Sequence, residues 1–175
     1  KMFHYKMENN SFVKVDSLEE RIPRDFGDFN KNGKKDLLSY WFYYGYVYEQ
    51  ANVNASKLIE KSKSEEQGKV FWPVLASDID KDNKTEIVTI SGDSSINIFR
   101  FNNDLTYNFV DTLYNFSPKG IGGNLFDSPN GIVTDLNKDG VNELWFVDTD
   151  GDIISYKIAS PTNYVPDKVL STGYY

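Results

Sequence analysis

The chain contains no cysteine and only one histidine, His4. The first absence removes disulfides and thiol chemistry but leaves the compartment open. The second removes the usual general base. His4 has no acidic partner close in sequence, so no Ser-His-Asp set can be built around it. No apolar run is long enough to cross a bilayer, and membrane insertion is not expected. Cations are outnumbered, 19 Lys and Arg against 26 Asp and Glu, for a net charge of −7. That balance argues against nucleic acid and anionic membrane surfaces as partners. A phosphate-cradling glycine motif is also missing, because Gly120-Ile121-Gly122-Gly123 follows no clear strand. A carboxylate pair of the glycosidase kind could exist in principle, but the conspicuous acids have another explanation.

Aromatic residues are abundant, with 12 Tyr and 12 Phe among 175 residues, and they favour β structure. Three acidic loops of nine residues stand out. They are Asp28-Phe29-Asn30-Lys31-Asn32-Gly33-Lys34-Lys35-Asp36, Asp78-Ile79-Asp80-Lys81-Asp82-Asn83-Lys84-Thr85-Glu86 and Asp135-Leu136-Asn137-Lys138-Asp139-Gly140-Val141-Asn142-Glu143. Acids or amides fall at positions one, three, five and nine. Position six is Gly33, Asn83 or Gly140, residues that accept the positive φ needed to close a tight turn. Position four is always lysine.

Such clusters of hard oxygens suit Ca²⁺, which takes six to eight oxygen ligands. The expected side-chain ligands are Asp28, Asn30, Asn32 and Asp36; Asp78, Asp80, Asp82 and Glu86; and Asp135, Asn137, Asp139 and Glu143. The backbone carbonyls of Lys34, Lys84 and Val141, at position seven, can each add one more. Three ions would nearly neutralise the chain. Ligand charges of −2, −4 and −3 rank the middle loop tightest and the first loosest. The expected role is structural: each cation relieves carboxylate repulsion and ties the end of one strand to the start of the next. The same spacing also suits acidic turns in which Asp and Asn cap their own backbone. An EF-hand does not fit. It requires Glu at position twelve and flanking helices, whereas position twelve is Ser39, Thr89 or Phe146 and the flanks read as strands. Asp148, Asp150 and Asp152 form a further acidic cluster that a hairpin turn explains without a fourth metal.

The loops recur at a spacing of about 50 residues, the signature of a repeat architecture. Each unit reads as strand, acidic loop, strand, turn, strand, loop, strand, with Pro23, Pro73 and Pro129 upstream. Turns are expected at Tyr44-Gly45, Ser91–Ser94 and Asp148–Asp152. Polar or glycine-rich connectors are expected at Lys61–Gly68 and Asn115–Asn130. Residues 1–20 read as the outer hairpin of a preceding unit, followed by units at 21–69, 70–126 and 127–175. Both faces of the strand around Leu37–Tyr43 are apolar, so neighbours must cover it on both sides. Four antiparallel strands per unit, covered on both faces, predict an all-β chain of β-propeller blades, three complete and one partial.

The segment Phe26-Gly27-Asp28-Phe29-Asn30-Lys31-Asn32-Gly33-Lys34-Lys35-Asp36 resembles the FG-GAP or VCBS repeat of integrin-α-like propellers. The later loops are similar but carry Ala76-Ser77 and Val133-Thr134 in place of Phe-Gly. The resemblance implies a seven-bladed propeller, calcium in the strand-linking loops and a non-catalytic, extracellular or cell-surface role in binding, adhesion or assembly. The implied partners are a protein or carbohydrate ligand, further blades or neighbouring copies. Accessory regions of secreted polysaccharide-degrading enzymes, and subunits of surface layers or filaments, are the alternatives. Lys1 is not a natural translation start, so the chain is expected to be a mature or excised piece. The aromatic run Trp41–Tyr48 reads mainly as packing between blades, with Tyr44 and Tyr46 as the best candidates for sugar stacking. Asn9, Asn54, Asn83 and Asn115 match the glycosylation pattern, as an Asn-rich chain would by chance.

Overall fold

A computed structural model describes residues 1–64, 72–91, 95–113, 131–147, 152–160 and 163–171. All regular structure among them is β, in 14 strands. No helix there is long and apolar enough to cross a membrane. β1 (Met2–Glu8) and β2 (Ser11–Leu18) form a hairpin. Its two-residue loop, Asn9-Asn10, has φ of 48° and 62°, the double positive φ that lets a tight turn match the strand twist. Three four-stranded antiparallel meanders follow. The first contains β3 (Ile22–Gly27), β4 (Asp36–Trp41), β5 (Tyr44–Gln50) and β6 (Leu58–Lys63). The second contains β7 (Trp72–Ser77), β8 (Glu86–Ile90), β9 (Ile96–Phe101) and β10 (Tyr107–Leu113). The third contains β11 (Gly131–Thr134), β12 (Glu143–Val147), β13 (Ile153–Ser160) and β14 (Asn163–Leu170). These are the expected blades, and each acidic loop joins a blade's first two strands.

The blades pack face to face, which explains why their second strands are apolar on both sides. Leu37, Tyr46, Tyr48 and Leu58 of the first blade meet Met2 and Leu18 of the hairpin. Phe29, Leu38 and Val47 meet Ile87, Phe101 and Leu105 of the second. A larger cluster joins the second blade to the third, with Val88, Ile90 and Ile98 among its members on one side and Leu144, Phe146 and Ile154 on the other. Position two of each loop takes part in this interlock. Phe29 is buried and stacks on Phe101 with ring centroids 5.3 Å apart. Gly27 makes room for it, since a Cβ there would lie 2.9 Å from the Phe29 ring. Ile79 is 0% exposed in the cluster between the second and third blades.

Pro23 and Pro73 lie within β3 and β7, each at the end of its sheet's strand order, and a bulge follows each. Two expectations need correction. The turn of the first blade is Phe42-Tyr43, not Tyr44-Gly45, because Trp41 pairs with Tyr44 and Tyr40 with Gly45. That register keeps Leu37 and Leu38 opposite Tyr48 and Val47, and Phe42 takes the positive φ of 53°. The connector expected from Lys61 begins later, since Lys61–Lys63 completes β6. Segment 115–130 and most of the turns expected at 91–94 and 148–152 lie outside the described residues.

Candidate metal loops

The three loops share their capping at positions five and nine, and the first and third also share it at position one, whereas in the second the Asp82 N–H goes to Asp80. At position one, Asp28 accepts the N–H groups of Asn32 (2.9 Å) and Gly33 (2.8 Å), and Asp135 those of Asp139 (3.0 Å) and Gly140 (2.8 Å). At position five, Asn32, Asp82 and Asp139 accept the N–H of position seven at 2.9, 2.9 and 2.8 Å. At position nine, Asp36, Glu86 and Glu143 accept the N–H of position two at 2.7, 2.9 and 3.0 Å. Position six has φ of 85° at Gly33, 72° at Asn83 and 91° at Gly140, so asparagine makes the same left-handed turn as glycine. The Asx-type capping is therefore real, and it folds the loop around the remaining oxygens.

Several of those oxygens are buried without a partner: Asp36 Oδ1 and Asn30 Oδ1 in the first loop, Asp78 Oδ1 in the second, and Glu143 Oε1 in the third. A buried carboxylate oxygen without a donor is costly, and a cation is the natural counterpart. Carboxylate oxygens of Asp78, Asp80 and Glu86 lie within 4.8 Å of one another, as do those of Asp135, Asp139 and Glu143. Both clusters could hold a metal ion. Burial, the main cause, pushes Asp36 up to about 6 and Glu86 up to about 7. Asp36 is held in an environment that disfavours its charge unless a cation arrives, and burial keeps Glu86 raised even with a guanidinium beside it.

Sequence reading missed the residue that faces position nine across the sheet. Asp36 pairs with Glu49, Glu86 with Arg100 and Glu143 with Lys157. Glu49 brings a further carboxylate to the first loop. Its Oε1 accepts Asn32 Nδ2 at 2.6 Å, and its Oε2 accepts Lys34 Nζ at 2.9 Å. Burial alone would raise Glu49, but Lys34, the Asn32 and Asn30 amides and Lys61 outweigh it and hold the carboxyl at about 2. Arg100 spreads over the second loop, with Nε 2.7 Å from Glu86 Oε1, Nη2 2.7 Å from Asp80 Oδ2 and Nη1 3.3 Å from Asp82 Oδ2. Lys157 reaches only the outer acid of the third loop, Asp139, at 2.6 Å. Cross-strand register decides these pairings, and the loop motif carries no trace of them.

The shared lysine at position four also has a role. Lys31 and Lys81 adopt φ of 58° and 60°. Lys31 Nζ reaches forward to the second loop, 2.7 Å from the Asn83 carbonyl and 3.4 Å from Asp78 Oδ2. Lys81 Nζ reaches the third loop, 2.8 Å from the Gly140 carbonyl. The first and second loops thus each grip the next blade twice, through an apolar residue at position two and an ammonium at position four.

The aromatic run is packed as expected, but its accessible members differ. Tyr46 is buried, whereas Phe42 and Tyr43 at the turn are 56% and 48% exposed. His4 Nδ1 lies 3.0 Å from the Ser56 carbonyl and fastens the hairpin to the first blade.

No protein family and no curated protein matches the chain. Among solved structures it is similar to an exo-β-1,3-galactanase from Phanerochaete chrysosporium, crystallised with β-1,3-galactotriose. The TM-score is 0.61 at 10% identity, over 95% of this chain and 42% of that one. The chain therefore spans less than half the length of that structure. At this identity the likeness shows the fold alone, an all-β arrangement of blade-like sheets.

Proposed function

We propose that the chain is a non-catalytic, calcium-stabilised repeat module of the FG-GAP or VCBS type, acting outside the cell in binding, adhesion or assembly. One observation carries the assembly reading: the residues that join each of the first two blades to the next recur on the third blade, with nothing among the described residues to receive them. Leu136, at position two, is 64% exposed, where its counterparts Phe29 and Ile79 are 5% and 0% exposed. Lys138, at position four, has the same positive φ, 61°, and no partner among the described residues. Ile132 and Val147 on the same blade are also exposed. Such a face suits another blade bearing an acidic loop, from the same parent chain or a neighbouring copy. Calcium is supported by the buried, partnerless oxygens of Asp36, Asn30 and Glu143, and millimolar extracellular calcium suits loops this open to solvent.

Sedimentation velocity over a concentration series tests the assembly reading with neighbouring copies. The expected outcome is self-association that Leu136→Asp abolishes. A monomer at every concentration, in both forms, would leave that reading without support.

The galactanase likeness favours a second reading, an accessory region of a polysaccharide-degrading enzyme. Affinity electrophoresis in β-1,3-galactan checks it. Retardation lost in the Phe42→Ala/Tyr43→Ala double variant would support it, and unretarded migration would count against it.

A further inference from the structure

The second loop has the most acids, and charge counting ranks it first for calcium. Its side chains point to a different outcome. Arg100 already forks over Glu86, Asp80 and Asp82, three of the four expected side-chain ligands. Its guanidinium is planar, permanently charged and matched to carboxylate geometry. Pairing with Glu86 in the neighbouring strand fixes its place, and the flanking Phe99 and Phe101 pack into the core. A divalent ion bound to the same oxygens would sit beside that partly buried positive charge and would have to break its hydrogen bonds. The other two loops contrast with this. The equivalent residue of the first is an acid, Glu49, and that of the third is Lys157, which reaches Asp139, so the acid at position nine, Asp36 or Glu143, keeps a buried oxygen without a partner; in the second loop Glu86 is paired and the partnerless oxygen is that of Asp78 at position one.

We infer that Arg100 is the resident cation of the second loop and excludes calcium from it, so the most acidic of the three loops is the one that works without metal. Calcium belongs to the first and third loops, and for those alone the inference rests on the function proposed above. Arg100 and Lys31 between them contact all four acids of this loop, and its junction to the third blade holds in low calcium.

Counting bound ions by native mass spectrometry in millimolar calcium tests this. Arg100→Gln is expected to bind one ion more than the native chain. A folded Arg100→Gln chain with an unchanged count overturns the inference. If that variant does not fold, Asp82→Asn in the native background decides. An unchanged ion count is expected, and loss of one ion overturns the inference. A native chain that binds no calcium, beside an Arg100→Gln chain that binds one, would refute the calcium reading of the other loops and leave the role of Arg100 standing.

Discussion

The second and third loops look alike in sequence, yet they meet different surroundings. Both place acids at positions one, five and nine, and both bring three carboxylates within 4.8 Å of one another. Across the sheet the second loop meets Arg100, which bonds three of its acids. The third meets Lys157, which bonds one exposed acid and leaves Glu143 Oε1 buried and unpaired. Their anchors differ as well, since Ile79 is enclosed between two blades and Leu136 is open to solvent. If Arg100 fills the second loop as inferred above, the number of acids in a loop motif does not by itself rank its affinity for metal. The cross-strand partner and the next blade decide what the loop still needs.

The largest expected effect separates the anchors. Ile79→Ala removes a fully buried side chain and should cost about 2–5 kcal/mol in urea unfolding. Leu136→Ala should stay within about 0.5 kcal/mol. Similar losses at both sites would mean that the third loop is as enclosed as the second.

Next is the ion itself. Glu143→Gln should remove the calcium-dependent stability of the third loop, about 2.7 kcal/mol when calcium is a hundredfold above its dissociation constant. Thermal unfolding with and without calcium measures the loss. Glu86→Gln should leave the calcium response unchanged, although it unpairs Arg100 and lowers the baseline Tm.

Acidity offers a third contrast. Glu86 and Asp36 are raised in the folded state, to about 7 and about 6, so between pH 4.5 and 7 the folded chain holds more protons than the unfolded one. Stability should therefore fall as pH rises through that window in chelator, by on the order of 2–3 kcal/mol for each of the two acids. Calcium should offset the part that belongs to Asp36 and not the part that belongs to Glu86. Glu49 works in the opposite sense, but only below pH 4.5, as it is lowered to about 2. Urea unfolding at pH 5 and pH 7.5 checks the sign.

The smallest effect is at Lys157. Replacing it with Met should raise calcium affinity at the third loop by roughly two- to fivefold at low salt. The gain should fade as salt screens the exposed pair, as a calorimetric titration would show.

Much of the fold was legible because its determinants are local. Acid and amide spacing marked the loops, Asn83 at position six kept the turn, and apolar residues on both faces of β4 required a blade on each side. The non-local features were not legible. Arg100, Glu49 and Lys157 matter through register, which pairs each with the acid at position nine. The turn at Phe42-Tyr43 was hidden for the same reason, because the pairing of Tyr40 with Gly45 keeps the glycine inside β5. The lysines at position four were visible as a pattern, but their reach into the next loop needed the packing of whole blades.

Thermal unfolding of the native chain, in millimolar calcium and in chelator, tests most directly whether the loops lock successive blades through bound ions. The account predicts a higher Tm in calcium, and a response that the double variant Asp36→Asn/Glu143→Gln abolishes. Superimposable curves for the native chain in the two buffers would contradict it.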